Sequence, residues 1–162
     1  MVPTWRNWLS GGFAGADTQK RAAYGPEFFE SQFVEEWLGL VRSPALREAC
    51  ERHGLRIGFL PHPNLQQALP HLDLPEWVER LSYEGNDVRV LFARAALMVT
   101  DYSSVAFNAA YIDRPVVYFQ FDADRVFGGE HVGQGGYFDY RRDGFGPVTG
   151  TVEQTAKEIG AA

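Results

Sequence analysis

Apolar positions along the chain follow two alternating patterns. Over Phe28 to Val41 (FFESQFVEEWLGLV) they recur every three or four residues, which predicts an amphipathic helix. Ala45 to His53 continues as a second helical piece, and Gly54 is a suitable stop. Leu55 to Leu60 (LRIGFL) then reads as a short strand, ended by Pro61-His62-Pro63, which can extend neither ladder nor helix. Asn64 is placed to cap a short helix through Leu69. Arg80 to Tyr83 reads as a strand, and Asn86 or Asp87 as the cap of a helix from Val88 to Ala95. Leu97 to Thr100 is the next strand, followed by a helix over Val105 to Ile112 capped by Ser103 or Ser104. Asp113-Arg114-Pro115 breaks it, and Val116 to Phe121 is a further strand. Thr151 caps a last helix over Val152 to Ile159, with Glu153 in its first turn. Residues 9 to 27 and 122 to 150 read as loops rich in glycine and polar residues.

Strands alternating with helices predict an α/β fold with a parallel sheet. The apolar strands lack alternation, as burial on both faces requires. The expected architecture is therefore a Rossmann-like parallel sheet with helices on both faces, formed by residues 1–162 as one domain. The opening residues Pro3-Thr4-Trp5-Arg6 read like the end of a strand rather than the start of a domain. The chain is therefore expected to be part of a longer protein.

Composition narrows the picture further. A chain of 162 residues, 45% hydrophobic and 14% aromatic, can bury a substantial core. Its net charge of -6 argues against non-specific binding to nucleic acid, while leaving room for a local phosphate pocket. The single cysteine, Cys50, rules out an intrachain disulfide and a cysteine zinc cluster, and is expected to be a packed thiol. That usage fits a reducing cytoplasm. No apolar run reaches the ~18 residues of a membrane span.

In open parallel sheets ligands sit outside the carboxyl ends of the strands. Two candidate sites fall there: His62 after LRIGFL, and Asp101-Tyr102-Ser103-Ser104 after LMVT. A strand running directly into a helix leaves free N–H groups that suit a phosphate, and serine hydroxyls add donors without bulk. Asp101 is anionic; it can accept from a sugar or polyol hydroxyl, or from the turn itself. Asp and Ser before a helix are also simply good caps, and a histidine between prolines is also a turn residue. His53, His71 and His131 lack metal-like spacing and read as surface residues. The pairs Gly128-Gly129 and Gly135-Gly136 form at most a weak anion-loop signal. No P-loop, GxGxxG or Gly-x-Ser-x-Gly elbow is present, which argues against Ser103 as a hydrolase nucleophile.

Several of these segments together carry a family likeness. TDYSS (Thr100 to Ser104), RPVVYFQFD (Arg114 to Asp122), GYFDY (Gly136 to Tyr140) and GFGPV (Gly144 to Val148) occur in this order, with PTWR and the His62 strand end upstream. The set resembles the CDP-glycerol glycerophosphotransferase family, whose members build teichoic acid and related cell-wall or capsular polymers. The resemblance implies the C-terminal, donor-holding half of a GT-B fold. It implies that His62 contacts the donor phosphates and that Thr4, Trp5 and Arg6 approach the donor. Thr100, Asp101, Ser103 and Ser104 would line the same place, and Phe145 and Gly146 would lie near the nucleotide.

The implied reaction is attack by an acceptor hydroxyl on the polyol-linked phosphorus of CDP-glycerol or a related CDP-polyol, releasing CMP. No metal and no separate cofactor is expected; helix N-termini, hydroxyls, Arg6 and His62 would meet the growing charge. The family's general base is a histidine in the N-terminal half, so this chain alone is expected to bind donor weakly and not turn over. Its implied partners are the activated donor, the missing N-terminal half and a polymer acceptor. Its implied place is the cytoplasm, at the inner membrane face. Two alternatives remain. One is a GT-B glycosyltransferase or epimerase domain for another nucleotide sugar. The other is a non-catalytic nucleotide-sugar-binding module, favoured by Leu60 where family members often carry a basic residue.

Overall fold

The fold is a parallel sheet with an apolar core on each face. In the computed structural model, which describes residues 1–9, 24–131 and 137–162, strand β4 (Val116–Phe119) is buried along its whole length. Val116 and Tyr118 face one core with Val2, Met98, Ala106 and Ala109, while Val117 and Phe119 face the other with Trp37, Phe59 and Val99. Strand side chains alternate in direction, so a strand covered on both sides must be apolar at every position.

The elements follow in chain order. Helices α1 (Pro26–Phe29), α2 (Gln32–Arg42) and α3 (Pro44–His53) lead to strand β1 (Ile57–Phe59). Two 3-10 turns, Pro63–Leu65 and Leu69–His71, precede β2 (Val78–Arg80). Helix α4 (Val88–Arg94), β3 (Met98–Thr100) and α5 (Val105–Tyr111) then lead into β4. After β4 come the short α6 (Ala123–Arg125), a π turn Val126–Glu130, α7 (Tyr140–Asp143), β5 (Val148–Thr149) and α8 (Val152–Ala161). Helices α2, α3 and α8 pack together over one face, while α5 lies on the other.

β1 pairs with β2 in parallel, and β3, β4 and β5 pair in parallel in that order. The N-terminal residues join the two groups. Val2 is bridged in parallel to Thr100, and its N–H donates to Val99 O at 2.8 Å. On the other side Leu60 N–H donates to Met1 O and His62 N–H to Pro3 O, both at 2.9 Å. The order is thus β2, β1, N-terminal segment, β3, β4, β5. This is the doubly wound order, and it reverses between the N-terminal segment and β3. Pro3-Thr4 therefore does end a strand-like segment, as the opening residues suggested.

Some elements differ from the sequence reading. The predicted helix over Phe28 to Val41 is two helices, because Ser31 leaves the helical conformation and its Oγ accepts the Val34 N–H. The strand expected at Arg80 to Tyr83 lies at Val78–Arg80, where register with β1 pairs Ile57 with Val78. His62, not Asn64, caps the turn at Pro63. The loop expected over 122 to 150 contains α6, α7 and β5. Most of the loop read over 9 to 27, and the pair Gly135-Gly136, fall outside the described residues. Gly54 closes α3 in the left-handed conformation, and Asp87 and Thr151 cap α4 and α8 as expected. Cys50 is buried, and burial pushes its thiol pKa up. Among the described residues no helix is long and apolar enough to cross a membrane.

Candidate functional site

The sheet reversal brings four strand ends together, and each ends in polar residues. Thr4, Trp5 and Arg6 leave the N-terminal segment. His62 leaves β1, Asp101 to Ser103 leave β3, and Gln120 to Asp122 leave β4. A crevice at this place is where an open α/β sheet binds its ligand.

Arg6 lies at the centre and is 1% exposed. Its Nη1 donates to Asp101 Oδ2 at 3.0 Å and to Thr4 O at 2.7 Å. Its Nε and Nη2 donate to the two carboxylate oxygens of Asp122 at 2.6 and 3.1 Å, a two-pronged geometry suited to guanidinium. The rings of Tyr102, Phe33 and Phe121 lie 4.9, 5.0 and 5.8 Å from its central carbon. Burial alone would lower the Arg6 pKa, but the charges and bonds of Asp101 and Asp122 outweigh it and raise it.

Asp101 is fully enclosed. Its oxygens accept the Thr4 N–H at 3.0 and 3.1 Å and the Tyr102 N–H at 2.7 Å, besides Arg6. Gln120 Nε2 donates to the Asp101 carbonyl at 2.9 Å, and Tyr102 OH to Asp122 Oδ1 at 3.1 Å. Burial and the Asp122 charge push the Tyr102 pKa far up, so this hydroxyl remains a donor. Tyr140 OH reaches back to Tyr102 O at 3.1 Å, and its own pKa is pushed up to about 12 by burial and then by Asp101.

These contacts change the role expected of three residues. Arg6 and Asp101 bind each other and the turn; of the two acceptor roles weighed for Asp101, the structure contains the turn. Thr100 is fully buried and donates through Oγ1 to Val2 O at 2.6 Å, so it ties the N-terminal segment to β3. Five expected residues form the rim instead. Thr4 is 8% exposed, yet its Oγ1 has no partner among the described residues. Trp5 is half-buried beside His62, with ring centres 6.3 Å apart. His62 is half-buried, and its Nδ1 accepts the Asn64 N–H at 3.1 Å, which leaves the proton on Nε2. Ser103 Oγ accepts the Val105 N–H at 3.3 Å, and Ser104, exposed and without a capping bond, lies next to it.

Phe145 and Gly146 are not part of this group. A Cβ on Gly146 would lie 1.8 Å from Val116 O, the first residue of β4, so the segment runs past the amino end of the sheet. Phe145 packs on Phe107 with ring centres 4.8 Å apart. Leu60 is 2% exposed and lines a cavity of about 460 Å³ with Met1, Arg56, Ala95 and Leu97.

The sequence reading missed two parts of the site. Asp122 completes the Arg6 network, together with the hydroxyl of Tyr102 from the expected Asp101–Ser104 turn. His131, expected at the surface, is half-buried with its ring 5.3 Å from Trp5 and 6.2 Å from Trp8. The shared signal of Arg6, Asp101 and Asp122 is a charged residue directly after each apolar run. Among the described residues no three His, Cys, Asp or Glu side chains are grouped to hold a metal ion.

Comparison with known proteins gives this geometry a context. Residues 1–162 match the family described as CDP-Glycerol:Poly(glycerophosphate) glycerophosphotransferase. The minor teichoic acid biosynthesis protein GgaB of Bacillus subtilis (strain 168) is 32% identical over 149 residues, 91% of this chain and 15% of that protein. The teichoic acid poly(glycerol phosphate) polymerase of the same strain is 36% identical over 73 residues, 45% of this chain and 9% of the polymerase. A histidine-to-alanine variant of the wall teichoic acid polymerase TagF shares the fold, with a TM-score of 0.62 at 23% identity, over 98% of this chain and 32% of that one. The chain thus spans about a third or less of the relatives it matches.

Proposed function

Because the chain belongs to the CDP-glycerol:poly(glycerophosphate) glycerophosphotransferase family, we propose that it is the donor-holding domain of a polyol-phosphate transferase. It holds a CDP-linked polyol, with CDP-glycerol the first candidate, for polymer synthesis of the teichoic-acid type. Residues 1–162 form the C-terminal half of a two-domain GT-B enzyme working at the cytoplasmic face of the membrane. The observation that carries this reading is the polar rim at the sheet reversal: His62, Trp5, Ser103 and a buried Thr4 hydroxyl lacking a partner among the described residues. A buried hydroxyl without a bond costs stability, about 1–3 kcal/mol, and a bound ligand oxygen removes that cost.

In the reaction an acceptor hydroxyl oxygen forms a bond to the phosphorus carrying the polyol. The bond from that phosphorus to the bridging oxygen breaks, and CMP leaves with the electron pair. His62 donates its Nε2–H to a phosphate oxygen, and the Asn64 N–H on Nδ1 fixes that tautomer. The hydroxyls of Thr4, Ser103 and Ser104 add neutral donors. Arg6 and Asp101 keep the rim in place without touching the donor. The acceptor proton passes to a base in the other half of the enzyme, so the isolated chain binds donor and does not transfer.

Calorimetric titration of CDP-glycerol into the chain and into His62→Ala tests this reading. The parent is expected to bind, and the variant to bind about 10-fold or more weakly, as loss of a hydrogen bond to a charged group implies. Equal binding by the two, or tighter binding of UDP-sugars than of CDP-glycerol and CDP-ribitol, would overturn it. Transfer of glycerol phosphate by these 162 residues alone would overturn the placing of the base elsewhere.

A further inference from the structure

His131 follows the π turn Val126–Glu130, far from His62 in sequence. Gly129, with φ at 99°, reverses the chain just before it, a conformation that side chains with a Cβ rarely adopt. Arg125 lies over the Trp8 ring at 4.3 Å and pairs with Glu130 at 2.5 Å, which fixes the turn against the N-terminal residues. The imidazole is held edge-on to Trp5 and Trp8, at interplanar angles of 67° and 81°.

Two histidines therefore flank one indole. His62 and His131 both pack against Trp5, and both use Nδ1 to accept a backbone N–H: Asn64 at 3.1 Å and Asn7 at 3.3 Å. With Nδ1 accepting, each neutral ring carries its proton on Nε2. The two rings thus have the same tautomer and offer an anionic oxygen the same donor. Simple packing requires neither the fixed tautomer nor its repetition.

We propose that His131 is a second phosphate-contacting residue of the donor site, donating its Nε2–H to the donor's phosphate groups beside His62. The proposal rests on the donor reading given above. The groups acting on His131 are the Arg6 guanidinium and the Asp101 and Asp122 carboxylates, with Arg125 and Glu130 on its own turn. Burial, then the Arg6 charge, lowers its pKa, against the opposing pull of the two carboxylates. The free ring is thus neutral near pH 7, as the Nδ1 acceptor role requires. A phosphate beside it favours the protonated form.

The test combines two variants with one spectroscopic readout. In His131→Asn the side-chain oxygen takes the place of Nδ1 and keeps the Asn7 bond, while the Nε2–H is lost. In His131→Gln the amide N–H lies near where Nε2 was. CDP-glycerol, CMP and inorganic pyrophosphate are titrated into the chain and both variants, following the histidine ring nitrogens by NMR and affinity by calorimetry. Expected are ring-nitrogen shifts at both His62 and His131, a loss of about 10- to 100-fold in CDP-glycerol affinity for His131→Asn, and partial recovery in His131→Gln. An unchanged urea midpoint for His131→Asn shows that the loss is local. Movement of His62 alone, with parental affinity in His131→Asn, overturns the role of His131 and leaves the donor reading standing. Equal losses in the two variants overturn the N–H donation. Movement of neither ring at saturating ligand overturns both readings.

Discussion

Replacing Arg6 by methionine separates the energetics of the strand-end network from the core beneath it. Arg6→Met keeps most of the apolar stem and removes the charge. It leaves two carboxylates facing each other with side chains 0% and 4% exposed. Asp101 still receives N–H bonds from Thr4 and Tyr102, so its loss is partial. Asp122 retains the Tyr102 hydroxyl in place of two guanidinium bonds and is affected most. Removing one member of a buried ion pair typically costs about 3–5 kcal/mol. With a urea slope of about 2 kcal/mol per molar, that is a fall of about 1.5–2.5 M in the unfolding midpoint. The control is Glu51→Ala, which breaks an exposed pair with Arg47 and is expected to cost under about 0.5 kcal/mol. Adding Asp122→Asn to Arg6→Met removes the worst uncompensated charge and is expected to restore part of the loss. A cost for Arg6→Met below about 1 kcal/mol, or no recovery in the double variant, refutes the reasoning that these charges hold the strand ends together.

Two further outcomes are expected. Gly146→Ala places a Cβ 1.8 Å from Val116 O, where the backbone must move; a loss of about 1–3 kcal/mol or more is expected in thermal or urea unfolding. Gly150→Ala, with nothing within 4 Å of the added atom, serves as its neutral comparison. The lowered pKa of His131 makes stability depend on pH. Below the ordinary histidine value of about 6.5 the unfolded chain binds a proton that the folded ring resists, so stability falls as pH drops towards the folded pKa. Urea midpoints between pH 7 and pH 5 are expected to fall less steeply in His131→Asn than in the parent; parallel slopes would refute the assignment.

Two-sided burial made the central strands legible. The runs at Leu97 to Val99 and Val116 to Phe119 have no polar break, and a parallel sheet covered on both faces uses such runs. β2 was legible as a strand and misplaced in extent. Among the described residues it has β1 as its only partner, and two of its own residues are exposed, so its position depends on the Ile57–Val78 register rather than on its own pattern. The break between α1 and α2 was hidden because apolar spacing continues across it, while Ser31 caps a new helix. At the site, His62 and the Asp101–Ser103 turn could be read as strand-end residues. The Arg6–Asp101–Asp122 network could not, since three distant charges meet only when three strands align. His131 was read as a surface residue because both indoles that cover it lie at the other end of the sequence.

The same network sets an electrostatic condition on the proposed donor. One guanidinium faces two carboxylates, so this buried group carries an excess negative charge beside the rim that is to receive a pyrophosphate. Arg125, the nearby cation on the His131 turn, is paired with Glu130. Neutral N–H and hydroxyl donors can orient a phosphate, but they do not offset its charge. Among the described residues a proton is one route: ligand charge raises the affinity of His131 for one, taken at Nδ1 at the expense of the Asn7 bond, and the protonated ring favours the ligand by the same free energy. CDP-glycerol binding is therefore expected to take up protons near neutral pH and to tighten as pH falls through about 6.5. Calorimetry in two buffers of different ionisation heat measures that uptake directly. A binding heat independent of the buffer, with affinity flat between pH 6 and pH 8, would mean that the phosphate charge is met by groups other than this imidazole.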